Sequence, residues 1–272
     1  MTNTNAMRAD AALAARGLAP SRERARALIE AGLATVNGAT IDKPSRRVSE
    51  GDVLAVTGNI HPYVSRGGLK LEKALQVFDV DASGHVCVDV GASTGGFTDV
   101  LLRNGARHVY AVDVGTAQLH PSLRADPRVT CMEHVNARAM ERAMFPEAPT
   151  LAVMDVSFIS IRLILPALFE LLGADGHVIS LVKPQFEAGR QRVGKGGIVA
   201  KAATHRDILK EIVDFAPALG WRVAGLDFSP ITGGDGNIEF LADILPEARC
   251  EHPVDESAIA QVVKRAHGAE LG

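Results

Sequence analysis

The sequence predicts an α/β protein: a doubly wound, mostly parallel sheet of seven strands, preceded by a small α+β module. Three observations predict it. Apolar runs of strand length alternate with helical patterns from residue 65 onward. The last two such runs, 221–228 and 238–244, have no helix between them and read as an antiparallel pair closing the sheet. Before residue 60 the rhythm differs, with two short helices followed by short strands and turn residues.

In the first module, residues 8–15 read as a helix that Gly17-Leu18 ends. Ser21 is a helix N-cap, because its hydroxyl can accept a free N–H of the first turn, and the helix runs through Glu30 to Ala31-Gly32. Residues 34–38 read as a strand running into an Asn37-Gly38 turn. Residues 44–52 lead into a strand at 53–56, and 57–62 look like a linker. The domains are therefore drawn at 1–60 and 65–272, with 61–64 joining them. Residues 65–76 read as a glycine-led helix. Strands follow at 86–90, 108–113, 129–132, 151–155 and 177–182, most of them separated by helical stretches. Ligands of such a sheet gather at the carboxyl ends of its strands.

Composition excludes several classes. At 272 residues and 47% apolar content, the chain can bury a large core and a small one. A formal net charge of −3 provides no global field for nucleic acid, so RNA binding needs a local basic face. Cys87, Cys131 and Cys250 are far apart and form no zinc or disulfide pattern. They read as buried thiols in a reducing, cytoplasmic setting, and no metal is expected. Residues 1–10 lack the apolar core of a signal peptide. The best apolar run, 163–172, carries Pro166 and Glu170 and falls short of the ~20 residues that span a bilayer. No membrane insertion is expected.

The most informative stretch is Val88-Asp89-Val90-Gly91-Ala92-Ser93-Thr94-Gly95-Gly96-Phe97-Thr98. It reads as strand, glycine turn and helix, a cradle whose backbone can approach a nucleoside-like cofactor. It lacks the G-x-G-x-x-G spelling of dehydrogenases and the Gly-Lys-Ser/Thr ending of a P-loop. Asp113 ends the next strand about 20 residues on, where a carboxylate can bind a ribose diol. The stretch resembles the first motif of the S-adenosylmethionine-dependent methyltransferases of the FtsJ type. The resemblance implies that Gly91, Ser93, Thr94, Gly95, Gly96 and Phe97 line the cofactor. It places Asp113 at the ribose and Asn136 near the adenine, with Asp155 close by.

Four charged residues recur where such a sheet gathers ligands: Lys70, Asp155, Lys183 and Glu239. A lysine closing the apolar run 178–182 is costly to desolvate unless paired. A sugar hydroxyl is a weak nucleophile that needs a general base, and a lysine serves when burial and a second cation favour its neutral form. Lys183 is the candidate base and Lys70 the neighbouring cation. Asp155 and Glu239 orient them. No Asn/Asp-Pro-Pro-aromatic run follows the fourth strand, which argues against exocyclic amines as acceptors, and no Pro-Cys argues against a covalent cytosine mechanism. The order Lys-Asp-Lys-Glu resembles the ribose 2′-O-methyltransferase tetrad of the FtsJ type.

The first module resembles the S4-type RNA-binding domain. The matching residues are Arg8-Ala9-Asp10, the run from Ser21 to Ile29, Gly32, Val36-Asn37-Gly38, Pro44 and Gly51-Asp52. Through residue 60, eight basic residues face six acidic ones, so placement carries the argument. Arg22 and Arg26 share a helix face, and Arg46-Arg47 share a later loop. With Arg8, Lys43 and Arg66 they are candidate RNA contacts. Residues 184–201 form a second candidate, a mobile basic loop carrying Arg190, Arg192 and Lys195.

From about Arg8 to Ile244 the chain resembles the TlyA family. That resemblance implies 2′-O-methylation of cytidine in small- and large-subunit ribosomal RNA, with ribosomal subunits as substrates. It also puts His61-Pro62-Tyr63-Val64 at the junction of the domains, where docking and cofactor-site closure can be coupled. Family members also carry a haemolysin label. A membrane-active haemolysin and a non-catalytic RNA-binding assembly factor stay open as alternatives. The glycine turn disfavours a pseudouridine synthase.

Overall fold

The computed structural model describes residues 6–19, 21–30, 32–57 and 61–271, apart from the side chain of Arg190. The chain forms two compact units, Met1–Pro62 and Tyr63–Gly272. The Ala31 position and residues 58–60 of the expected linker lie outside the described residues.

The first unit runs β1 (Met7–Arg8), α1 (Ala9–Ala15), α2 (Arg22–Glu30), β2 (Ala34–Val36), β3 (Ala39–Thr40), β4 (Arg47–Val48) and β5 (Leu54–Val56). The Ser21 hydroxyl accepts from the Arg24 N–H at 3.1 Å, which is the expected cap of α2. Asn37 and Gly38 both have positive φ, 49° and 81°, so β2 and β3 form a two-residue hairpin. Apolar residues of both helices and of the sheet β3-β2-β5 close a small core around Leu13, Ile29 and Ile41. Arg8 belongs to β1, not to the helix: it caps α1 and pairs with Arg47 of β4. Two-residue strands are too short to show a period.

The second unit adds α3 (Gly68–Val77), β6 (Val86–Val90), α4 (Gly96–Arg103), β7 (His108–Val112), α5 (Pro121–Arg124), β8 (Val129–Met132), β9 (Leu151–Met154) and α6 (Leu165–Leu172). It continues with β10 (His177–Val182), α7 (Pro184–Glu187), α8 (Ala202–Phe215), β11 (Trp221–Phe228), β12 (Phe240–Pro246) and α9 (Glu256–Gly268). Its sheet has seven strands in the order β11-β12-β10-β9-β6-β7-β8. Only the pairings made by β12 are antiparallel.

Strands β6 and β9 are buried along their whole length, which explains their apolar spelling, interrupted only by Asp89 in β6. Alternate residues feed two cores. Val88, Tyr110 and Met154 face one layer, in which Phe169 and Trp221 stack at 4.2 Å. Cys87, Val109 and Val153 face the other, with Leu71 and Leu101. The chain builds outward from β6 through β8, then returns to place β9 on the other side of β6. Their carboxyl ends therefore flank the crevice in which open α/β sheets bind ligands.

Some boundaries differ from the sequence reading. The helix expected from residue 65 starts at Gly68, because residues 65–67 make turns whose carbonyls accept from Gly68, Leu69 and Lys70. Asp113 and Asp155 stand one residue beyond their strands, and Glu239 one residue before β12. Residues 184–201 do not form an open loop. They hold α7 and two single-turn helices, Arg190–Arg192 and Lys195–Gly197. The Asn237 side chain ties this segment down, accepting from the Val199 N–H at 2.9 Å and donating to the Gly197 carbonyl at 3.1 Å. Helix α9 has no counterpart in the sequence reading. Its signal was the Asp255 cap and the spacing of Ile259, Val262, Val263 and Ala266.

Candidate active site

The turn after β6 is a left-handed backbone path. Gly91, Ser93 and Gly95 have φ of 82°, 47° and 97°. A Cβ on Gly91 would lie 2.7 Å from the Asp155 carbonyl, so only glycine lets the ends of β6 and β9 approach this closely. Ser93 takes the same conformation with a side chain, a strain that marks functional turns. It is held there by its N–H, which donates to the Asp113 carboxylate at 2.8 Å. The other Asp113 oxygen accepts from the Gly115 N–H at 2.7 Å. Beneath the turn, buried Asp89 accepts from the Thr98 hydroxyl at 2.7 Å, tying β6 to α4. Burial pushes its carboxyl up to about 7.

Gly91, Ser93, Thr94, Gly96 and Phe97 line one cleft with Asp155, Ser157 and Lys183. Gly95 sits behind it, packed on Leu119 and Leu123. The donor set fits an adenosyl sulfonium: a cleft lined by Gly91 and Gly96, and a carboxylate fixed by two N–H groups. Asn136 is exposed. Its side chain accepts from the Arg138 N–H at 3.1 Å and caps a single helical turn.

The four charged candidates, far apart in sequence, come together. Lys70 Nζ lies 2.6 Å from Glu239 Oε2 and 3.7 Å from Asp155 Oδ2. Lys183 Nζ lies 2.5 Å from Asp155 Oδ1 and 3.0 Å from the Ser157 hydroxyl. Glu239, Lys70, Asp155 and Lys183 thus form a chain of alternating charge with no net charge. Lys70, Lys183 and Glu239 are buried, and Asp155 opens to the cleft. Each buried charge keeps a partner, which such burial requires.

Two supporting residues escaped the sequence reading. Phe158 is 90% exposed, has φ of 65°, and packs its ring 5.1 Å from Phe186 of α7. An aromatic ring held outward beside the cleft offers a stacking face. Glu187, buried at the end of α7, accepts from the Ser160 hydroxyl at 2.6 Å and the Ile161 N–H at 2.8 Å. It straps the loop carrying Asp155, Ser157 and Phe158 to the helix that follows Lys183. Burial pushes its carboxyl up. Neither residue had a period or a motif; only the context Asp155-Val156-Ser157-Phe158 marked the loop.

The candidate RNA contacts are spread more widely. In the first unit, Arg8 and Arg22 both reach Asp10, at 3.0 and 3.1 Å, and Arg26 meets Glu30 at 2.8 Å. The Arg8 guanidinium, helped by Arg22, holds the buried Asp10 carboxyl down at about 2. Arg46 donates to the Thr40 carbonyl at 3.2 Å, and Lys43 and Arg47 are exposed. In the second unit, Arg66 donates to the Thr232 carbonyl at 3.0 Å, and Lys195 is exposed. Arg192 is held by Glu211 at 2.7 Å and by the Ala188 carbonyl, so it belongs to the scaffold of its segment. The Arg190 side chain lies outside the described residues.

A switch-point cleft lined by a glycine turn that the Asp113 carboxylate holds, with a Lys-Asp-Lys-Glu cluster reaching it, fits a Rossmann-like S-adenosylmethionine-dependent methyltransferase. Comparison with known proteins agrees. Residues 63–243 match the FtsJ-like methyltransferase family, and residues 7–54 match the S4 domain. The chain is 44% identical to the 16S/23S rRNA (cytidine-2′-O)-methyltransferase TlyA of Mycobacterium tuberculosis, over 86% of this chain and 88% of that protein. It is 49% identical to YqxC of Bacillus subtilis, which carries an rRNA methyltransferase name, over 96% and 94% of the two chains. The solved structure of a Streptococcus thermophilus protein with a hemolysin name has 48% identity and a TM-score of 0.76, covering 97% of this chain and 96% of that one. This chain belongs to the TlyA family of FtsJ-like methyltransferases. Among the described residues no helix is long and apolar enough to cross a membrane.

Proposed function

We propose that this chain transfers a methyl group from S-adenosylmethionine to a ribose 2′-hydroxyl of ribosomal RNA, with cytidine as the acceptor nucleoside. The observation that carries the reading is the alternating chain Glu239, Lys70, Asp155, Lys183, which ends in the cleft lined by the glycine turn. The cytidine and ribosomal assignments are supported by the name of the M. tuberculosis relative. Residues 1–60 dock structured RNA through Arg8, Arg22, Arg26, Lys43, Arg46 and Arg47, and residues 65–272 carry the chemistry. Ribosomal subunits, as substrates, place the reaction in the cytoplasm.

Gly91, Ser93, Thr94, Gly96 and Phe97 hold the cofactor, and Asp113 takes its ribose. Bound there, S-adenosylmethionine supplies a methyl group on a positively charged sulfur. Lys183 takes the proton of the acceptor hydroxyl at Nζ. Asp155 holds Lys183 in the cleft, and Lys70 offsets the Asp155 charge so that the ion pair does not lock the base. Glu239 in turn neutralises Lys70. Phe158 stacks on the acceptor base. Holding the acceptor and the base together supplies most of the acceleration, since the transfer itself needs alignment more than further bond chemistry.

The test is methyl transfer from labelled S-adenosylmethionine to purified ribosomal subunits, followed by nucleoside analysis. The expected product is 2′-O-methylcytidine. A base-methylated nucleoside, or cofactor binding with no transfer to either subunit, would contradict the reading.

A further inference from the structure

Lys183 Nζ has two polar neighbours, and the proposed reaction uses only one of them. Asp155 Oδ1 lies at 2.5 Å and the Ser157 hydroxyl at 3.0 Å. Ser157 lies two residues beyond Asp155 on the loop after β9. It is exposed and lines the same cleft as Gly91, Asp155 and Lys183. Its loop is fixed from behind, because Glu187 holds Ser160 and the Ile161 N–H, and Phe158 packs on Phe186.

A neutral primary amine has two N–H donors and one lone pair in a tetrahedral arrangement. Asp155 Oδ1 lies at ion-pair distance from Nζ but makes no hydrogen bond there, so it does not fix how the amine is turned. With that contact alone, the amine can turn and present either an N–H or its lone pair to the cleft. The Ser157 hydroxyl at 3.0 Å takes one donor in a hydrogen bond; with the other donor toward Asp155, the lone pair is left as the free corner.

We propose that Ser157 is a positioning residue for the base: its hydroxyl accepts from Lys183 so that the lone pair, not an N–H, meets the acceptor 2′-hydroxyl. The inference rests on the proposed role of Lys183. In the step, the acceptor O–H bond breaks and a new N–H bond forms on Nζ. The oxygen takes the methyl group, and the sulfur leaves as a neutral thioether. The Ser157 hydrogen bond and the Asp155 ion-pair contact persist through the transfer, so the site does not reorganise.

The experiment compares Ser157→Ala, Ser157→Thr and Lys183→Ala in full-length protein. It measures steady-state transfer to ribosomal subunits, S-adenosylmethionine affinity and Tm. Because Ser157 is exposed, Ser157→Ala keeps its Tm and cofactor affinity. Its kcat falls roughly tenfold at unchanged KM, the scale of one lost hydrogen bond to the base. Ser157→Thr restores most of the loss, since it returns the hydroxyl. A Ser157→Ala enzyme with wild-type kcat beside an inactive Lys183→Ala enzyme would overturn the proposal and leave the base assignment standing. A rise in KM at constant kcat would also overturn it, because Ser157 would then be touching RNA. Full activity in Lys183→Ala would remove the base itself, and the positioning role with it.

Discussion

The docking arginines of the first unit and the two site lysines of the second pair with carboxylates in opposite surroundings. In the first, Arg8, Arg22 and Arg26 keep 41%, 60% and 66% of their side-chain surface exposed while meeting Asp10 or Glu30. In the second, Lys70 and Lys183 keep 9% and 10%. An exposed pair is worth at most ~1 kcal/mol. A phosphate can therefore replace the Glu30 carboxylate at Arg26 at little cost. Arg8 and Arg22 share the buried Asp10, so one can turn to a phosphate while the other stays. A buried pair that loses one member strands the other, at about 3–5 kcal/mol. The same two residue classes therefore suit reversible docking in one place and a fixed reaction geometry in the other.

Removing Glu239 is the strongest way to probe the buried side. Glu239→Ala leaves Lys70 with Asp155 alone, at 3.7 Å. We expect a loss of about 3 kcal/mol in denaturant unfolding, together with a fall in transfer of at least ~100-fold. Wild-type stability in this variant would break the comparison.

Phe158→Ala tests the proposed acceptor side, because this ring is exposed apart from its packing on Phe186. Its exposed ring should cost little in Tm, whereas RNA affinity should weaken by about 1–3 kcal/mol, the range of a base–aromatic stack. Equal affinity for RNA would remove Phe158 from the acceptor site.

Arg22→Ala tests the exposed side. Unfolding free energy should change by less than about 1 kcal/mol, since Arg8 still holds Asp10. The salt dependence of RNA binding should become shallower by about one phosphate contact. An unchanged salt slope would assign Arg22 to the scaffold.

A pH dependence tests the second unit by itself. His205 is fully buried, and its Nδ1 meets His267 at 2.9 Å. Burial first, then the neighbouring His267, lowers its pKa from 6.5 to about 4. A depressed histidine stays neutral when folded but takes a proton when unfolded. Its contribution is therefore present above pH 6.5 and is lost as pH falls toward 4. Tm of the second unit should decline across that window, and His205→Phe should flatten the decline.

What the sequence revealed follows a physical rule. Strands β6, β9 and β10 were legible because near-complete burial spells them as mostly apolar runs, broken only by Asp89 in β6 and by His177 and Ser180 in β10. The glycine turn was legible because its backbone path excludes most side chains. The four charged candidates were legible because a lysine or an acid at the end of an apolar strand needs an explanation. Strand β1 was not, because two residues carry no period. The strap made by Glu187 was hidden too, since Ser160 and Glu187 are joined only by the fold. The expected mobile loop at 184–201 failed for a related reason. Its glycines and basic residues looked open, but Asn237 and Glu211, from distant parts of the chain, hold it in place.

The central claim is that Lys183 moves a proton while the glycine turn holds the donor. Paired measurements on Lys183→Ala test it most directly: S-adenosylmethionine affinity by calorimetry, and methyl transfer to ribosomal subunits. The account predicts cofactor affinity within about threefold of wild type and transfer reduced by ~10²–10⁴, the range of a lost general base. Transfer at the wild-type rate with intact cofactor binding would contradict it.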